Sequence, residues 1–182
     1  VVLFSDFRHG IFSRHTISPL LEAIPETAIK VADSQVASRW GNILEFQGFD
    51  LITPNEREAR FALGDQDSVI RPLAAELYRR AQCKFLLLKL GERGLLTFRS
   101  EESNRRHFNI DSFADHVVDA VGTGDALLAY AALCLASGKG EVIASVLGAM
   151  AAGVACETEG NTPVSPEQVL NKLNDVARRI TY

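Results

Sequence analysis

The feature that most constrains the fold is an alternation of short apolar runs with amphipathic stretches. The apolar runs end at polar or turn residues, as buried strands do, whereas the stretches between them carry apolar residues at helical spacing. Strands are predicted at 1–5, 29–32, 51–53 and 85–90, and helices at 17–23, 56–63 and 70–81. This alternation predicts an α/β fold with a mostly parallel sheet.

The rest of the chain adds a hairpin and a helical region. The tetrapeptide 91–94, Gly-Glu-Arg-Gly, separates the fourth apolar run from another at 95–98, which predicts a tight hairpin and an antiparallel edge of the sheet. From residue 126 onward, helices are predicted at 126–137, 142–158 and 166–180, with glycine-containing breaks between them. Because no linker or internal repeat interrupts the pattern, the sequence predicts a single domain over 1–182.

Composition excludes several classes of partner. With 19 Lys+Arg against 23 Asp+Glu, the net charge is −4 and no long basic run could match a nucleic-acid backbone. No apolar run reaches the roughly 20 residues of a spanning helix, so no membrane segment is expected. The three cysteines form no zinc-type cluster and are read as small buried hydrophobes. A reducing cytoplasm is the expected location.

The segment 117–126 is the sharpest chemical signal. A β-like run is followed by the turn Gly122-Thr123-Gly124 and an apolar helix, an arrangement that offers backbone amides and a helix dipole to an anion. A carboxylate such as Asp125 would repel a bound phosphate, so its presence in an anion-binding turn needs an explanation. It is explained if Asp125 takes a proton from an acceptor hydroxyl while the amides stabilise a transferring phosphoryl group. The alternative is that Gly124 and Asp125 form a helix cap with an acidic first turn.

Asn55 and Glu58 are a candidate magnesium pair. They lie three residues apart at a predicted helix start, so both can project to one side, and Mg²⁺ prefers oxygen ligands. The same spacing is also that of a capping box, in which each side chain bonds to the other residue's backbone.

Two further segments are candidate ligand loops. Lys89, Gly91 and Gly94 could lay backbone and a cation against a nucleotide, or they could form a turn with solvated charges. Asp6, Arg8 and His9 follow the first strand, where α/β sheets bind ligands, but ordinary solvated charge explains them equally well.

In their order along the chain, these motifs resemble those of the ribokinase-like (PfkB) family of carbohydrate kinases. The resemblance implies a three-layer Rossmann-like fold of which this chain is the C-terminal, nucleotide-binding and catalytic part. The N-terminal lid and sugar-binding part would then be absent, which agrees with an apolar strand at position 1. The implied reaction is ATP-dependent phosphorylation of a sugar or sugar phosphate, with Mg²⁺ and a monovalent cation such as K⁺ as cofactors. A small sugar is the implied partner, and a homodimer is a further expectation.

Residue roles follow from the same resemblance. Asp125 would be the catalytic base, and the anion hole would be formed by Gly122, Thr123 and Gly124. Asn55 and Glu58 would belong to the magnesium and phosphate region, and Asp119 would help to hold the monovalent cation. The ATP site would be lined by Lys89, Gly91 and Gly94, although many relatives have Thr in place of Lys89.

The sequence leaves open both the branch of the family to which the chain is most similar and whether the chain is an active kinase. Segments 5–10, 32–35 and 51–55 look most like the branch that phosphorylates heptose phosphates, but that branch more usually has Lys where this chain has His9 and Pro-Lys where it has Ser34-Gln35. One rival is a non-catalytic nucleotide-binding remnant. The other, a dinucleotide-binding oxidoreductase, lacks the glycine fingerprint that such enzymes place after a strand.

Overall fold

The computed structural model describes residues 1–35, 43–99 and 106–180. Six strands and six helices lie in these ranges. The strands are β1 (Val2–Asp6), β2 (Lys30–Ser34), β3 (Leu51–Ile52), β4 (Phe85–Lys89), β5 (Leu95–Phe98) and β6 (His107–Ile110). The helices are α1 (Arg14–Glu22), α2 (Glu56–Leu63), α3 (Ile70–Ala81), α4 (Thr123–Ala136), α5 (Glu141–Cys156) and α6 (Pro166–Ile180).

The strands form one sheet in the order β1-β2-β3-β4-β5-β6. The pairs β1–β2, β2–β3 and β3–β4 are parallel, whereas β4 and β5 are antiparallel, with Leu86 opposite Phe98 and Lys89 opposite Leu95. The predicted mostly parallel sheet with an antiparallel edge is therefore confirmed. Strand β6 was not predicted, because a four-residue edge strand is defined by its pairing rather than by a strong apolar pattern.

The β-like run predicted before the glycine turn is wrong. Residues 117–121 contain no strand, and three valines in this segment are exposed: Val117, Val118 and Val121. The amides of Val118 and Asp119 both donate to the carbonyl of Cys156, at 2.9 and 3.1 Å. The end of α5 thus satisfies backbone groups that the apolar pattern assigned to a sheet.

The helix boundaries match the prediction in part: α1 (Arg14–Glu22) was predicted at 17–23 and α5 (Glu141–Cys156) at 142–158. Helices α2, α3 and α6 begin and end where the sequence predicts. Helix α4 begins three residues earlier than predicted, at Thr123, because Gly122 takes the left-handed conformation as its N-cap (φ 78°). The first turn of α4 therefore contains Thr123, Gly124 and Asp125.

The chain divides into two compact units. The first consists of Val1–Leu90 and Leu95–Asn109, and the second of Gly91–Gly94 and Ile110–Tyr182. The single domain over 1–182 remains a prediction, and each unit is described by itself below.

Aromatic packing dominates the core of the first unit. Phe4, Phe46 and Phe49 are buried, with ring centroids 5.2 to 5.8 Å apart, and Phe12 packs 5.3 Å from Phe4. Tilted and edge-on pairs at these distances add to the free energy gained by burying the rings. The phenylalanines link β1 to the segment that leads into β3.

Small residues allow close helix packing in the second unit. A Cβ added to Gly148 of α5 would lie 3.0 Å from the carbonyl oxygen of Leu127 in α4, so only glycine permits this approach without a shift. Val169 of α6 packs into the same core beside Met150 and Ala151. Among the helices that the structure describes, none is long and apolar enough to cross a membrane.

We expect Phe46→Ala to lower the free energy of unfolding by about 3–5 kcal/mol, because a fully buried ring is lost and a cavity remains. Urea unfolding followed by circular dichroism measures the change. The exposed Phe61 on α2 supplies the control, and Phe61→Ala should cost less than about 1 kcal/mol. Equal losses for the two variants would contradict the assignment of the core.

Candidate active site

Polar and charged residues gather where the parallel strands of the first unit end. Asp6 ends β1, Asp33 and Ser34 end β2, Asn55 follows β3, and Lys89 ends β4. Because β1 to β4 run parallel, these ends share one edge of the sheet, where open α/β sheets bind their ligands.

Asn55 and Glu58 form the capping box that the sequence left open. The Glu58 amide donates to Asn55 Oδ1 at 2.8 Å, and the Asn55 amide donates to Glu58 Oε2 at 2.6 Å. Glu58 is only 7% exposed. Burial raises the pKa of its carboxyl above the usual range, against the attraction of the Lys89 ammonium. The cap accounts for this pair structurally, and its magnesium role remains a prediction.

Lys89 pairs with a carboxylate that sequence reasoning did not single out. Its Nζ lies 3.0 Å from both Oδ1 and Oδ2 of Asp33, and its amide donates to the carbonyl of Pro54 at 2.8 Å. A charged residue directly after a buried strand run was the available signal for Asp33. The predicted contact of Lys89 with a nucleotide remains a prediction.

The side chains of Asp6 and Arg8 are buried rather than solvated. Arg8 has a left-handed backbone (φ 60°), and its side chain is 4% exposed. The guanidinium lies 3.1 Å from Asp6 Oδ2 and 3.2 Å from Glu45 Oε2, and Ser34 Oγ donates to Asp6 Oδ2 at 3.1 Å. Arg8 is therefore paired with two carboxylates at the carboxyl edge, whereas His9 is exposed.

The glycine turn of the second unit opens α4. Gly122 has no side chain that could cap the first-turn amides, and the hydroxyl of Thr123 is buried without a hydrogen-bond partner. Asp125 lies in this first turn. The cap predicted at Gly124 and Asp125 is thus at Gly122 instead, while the acidic first turn is present. Amides at a helix start that no side chain caps suit an anion.

Asp119 ties this turn to the loop after α5. Its Oδ1 accepts from the Val121 amide at 2.9 Å, and its Oδ2 accepts from the Gly160 amide at 3.2 Å. A Cβ on Gly122 would overlap Asn161 Oδ1, so the loop abuts the turn directly. Asn161 was missed by sequence analysis because its role depends on this tertiary contact.

Gly91 and Gly94 bound a short 3₁₀ turn between β4 and β5. Both have positive φ, 62° and 76°, and the Gly94 amide donates to the Gly91 carbonyl at 2.9 Å. Open space surrounds Gly91, but a Cβ on Gly94 would overlap the carbonyl oxygen of Ile110. Packing alone therefore requires one of these glycines, and their nucleotide role remains a prediction.

Across residues 1–35, 43–99 and 106–180, no three His, Cys, Asp or Glu side chains group as a metal site would require. Mg²⁺ usually keeps several water molecules and binds through one or two carboxylates together with substrate phosphates.

Comparison with known proteins decides the family. The model of the pfkB family of carbohydrate kinases matches residues 19–168. The chain belongs to this family. Membership of a carbohydrate kinase family excludes the alternative prediction of a dinucleotide-binding oxidoreductase.

Over 177 residues, the chain is 32% identical to the bifunctional protein HldE of Pelobacter propionicus and 30% identical to that of Geobacter metallireducens. These alignments cover 95% of the chain and 35% of each relative, so the pfkB chain spans about a third of their length.

Solved structures confirm the ribokinase-like α/β fold. A mutant of phosphofructokinase-2 from Escherichia coli matches with a TM-score of 0.77 at 16% identity, over 96% of this chain and 56% of that one. Ribokinase from Thermotoga maritima matches with a TM-score of 0.75 at 22% identity, over 94% and 56%.

The two turn glycines should respond differently to alanine. Gly94→Ala adds a clash with backbone to an unfavourable φ, so it should destabilise the protein by more than the roughly 1 kcal/mol expected for Gly91→Ala, where only φ is strained. Thermal and urea unfolding of both variants measure this difference. Equal destabilisation would contradict the observed packing of Gly94.

Proposed function

We propose that this chain is the nucleotide-binding and catalytic part of a sugar kinase, transferring the γ-phosphoryl group of ATP to a hydroxyl of a sugar or sugar phosphate. One observation carries the proposal: an aspartate lies in the first turn of a helix that a left-handed glycine opens. Membership of the pfkB family supports it.

Asp125 is the general base of the proposed reaction. Its carboxylate takes the proton of the acceptor hydroxyl as the oxygen attacks the γ-phosphorus and the bond from phosphorus to the leaving ADP oxygen breaks, so no full alkoxide charge builds up. The amides of Gly122, Thr123 and Gly124 stabilise the charge on the transferring group, helped by the dipole of α4.

ATP and Mg²⁺ are the proposed cofactors. The backbone near Lys89, Gly91 and Gly94 lines the ATP site in this proposal. Asn55 and Glu58 hold the ion through its water: each capping oxygen keeps a lone pair, and the carboxylate has a second oxygen. Bound Mg²⁺ would neutralise charge on the nucleotide phosphates.

The acceptor, a monovalent cation and the assembly complete the proposal. A heptose phosphate is the proposed acceptor class, because segments 5–10, 32–35 and 51–55 look most like that branch and the HldE proteins are relatives. Asp119 and the loop at Gly160 are the proposed site of a monovalent cation, and one similar solved structure, phosphofructokinase-2 from Escherichia coli, is described in complex with potassium. A homodimer is the proposed assembly.

We expect the chain to bind Mg·ADP. Calorimetric titration with Mg·ADP measures the affinity, and circular dichroism in the same buffer checks that the protein is folded. Folded protein that gives neither heat nor a thermal shift at millimolar nucleotide would refute the ATP site, and binding of NAD instead would point to another class of enzyme.

Asp125→Asn should lower turnover by at least about 10²-fold, because the general base is lost, while nucleotide affinity stays within a few-fold. Steady-state kinetics on the complete protein that carries this sequence measure both quantities. Asp175→Asn on the exposed face of α6 is the matched control and should retain full turnover. Unchanged turnover in Asp125→Asn would remove the catalytic assignment and favour a non-catalytic nucleotide-binding protein.

A further inference from the structure

The ion pair between Lys89 and Asp33 bridges the sheet at its carboxyl edge. Lys89 ends β4 and Asp33 lies near the end of β2, so the pair spans the end of β3, which lies between them. Both side chains are largely buried, at 17% and 12% exposure. Salt therefore screens this attraction much less than that of a surface pair.

The turn that leads from β3 to Asn55 lies between the two strands that the ion pair joins. The Thr53 amide donates to the carbonyl of Ala32 in β2 at 3.1 Å. On the other side, the Lys89 amide donates to Pro54, and Asn55 forms an isolated parallel bridge with Lys89. The turn is thus bonded to both neighbouring strands, and the ion pair joins the same two strands.

One ammonium serves two carboxylates here. Lys89 favours the charged form of Glu58, whereas Asp33 opposes it, so the three groups form one electrostatic cluster. Losing the ammonium would leave Asp33 and Glu58 buried without their counter-ion, which is costly in a low-dielectric site. Glu58 is held by its two hydrogen bonds with Asn55, and Asn55 in turn pairs with Lys89 of β4.

We propose that Lys89 is a positioning residue: paired with Asp33, it holds the turn at Pro54 and Asn55 and so sets how Asn55 and Glu58 meet the magnesium–nucleotide complex. This inference rests on the proposed function. It assigns Lys89 an effect through the protein rather than through side-chain contact with the nucleotide. The effect resembles that of groups that orient metal ligands, whose loss typically costs about 10–100-fold in affinity or activity.

Three single variants of the complete protein test the inference. Lys89→Met should raise the half-saturating concentrations of Mg·ATP and Mg²⁺ by about tenfold or more, with a smaller effect on kcat. Lys89→Arg should stay within a few-fold of the wild type, because a guanidinium can pair with both oxygens of Asp33. Lys84→Met is the matched control: Lys84 pairs with Asp50 at the opposite end of β4, is 72% exposed, and should leave both concentrations unchanged.

A double variant separates positioning from stability. Asp33→Asn combined with Lys89→Met removes both charges, so it should recover part of the stability lost in Lys89→Met. The half-saturating Mg·ATP concentration should nevertheless stay raised, because the bridge over the turn is still missing. Recovery of both stability and Mg·ATP saturation in the double variant would overturn the inference.

Amide hydrogen exchange without nucleotide gives an independent readout. Exchange at residues 53–58 should be faster in Lys89→Met than in the wild type or in Lys84→Met. A wild-type protein that binds no Mg·ATP would overturn the proposed function. A wild-type protein that does bind it, together with unchanged exchange or saturation in Lys89→Met, would overturn only the positioning role.

Discussion

Burial of consecutive residues along the parallel strands is the constraint on which the rest of the structure depends. Neighbouring side chains of a strand point to opposite faces, yet Val31 and Ala32 of β2, Leu51 and Ile52 of β3 and the centre of β4 are all buried. Polar groups can then lie only where the strands end. Since the strands are parallel, those ends meet at one edge, and chemistry-bearing residues from distant parts of the first unit collect there.

The acids at that edge each have a cation or a backbone donor as a partner. Asp6 is paired with Arg8, Asp33 with Lys89, and Glu58 is tied into the cap of α2. A buried charge without a partner is strongly destabilising, so each acid brings a cation or a backbone donor. Arg8 holds a left-handed backbone, a conformation costly for a residue with a side chain, while its guanidinium stays buried between two carboxylates.

The second unit uses backbone groups instead of side-chain charges. Gly122 leaves the first-turn amides of α4 without a capping side chain, and Asp119 fastens the preceding segment to the loop at Gly160. The neighbouring network at the end of α5 anchors this segment as well. Lys172 of α6 reaches Glu157 at 2.7 Å and Asp115 at 3.1 Å, and Arg179 pairs with Asp115. In the proposed reaction this turn presents its amides to an anion, and such support would keep them in place, because preorganised dipoles lower an activation barrier only if they do not have to move.

The sequence by itself determined the class of fold, the boundaries of α2, α3 and α6, and the motifs at 55–58, 89–94 and 119–125. Local periodicity, glycines and caps carry that information, because they act between residues close together along the chain. Tertiary structure alone decided the partners. Asp33 is the counter-ion of Lys89, and Arg8 forms a buried ion pair instead of lying in solvent. The valine-rich segment 117–121 hydrogen-bonds to the end of α5 instead of joining a sheet. Pairing between residues far apart along the chain produces no periodic pattern in the sequence. The free energy of burying a charge depends on which group the fold brings beside it.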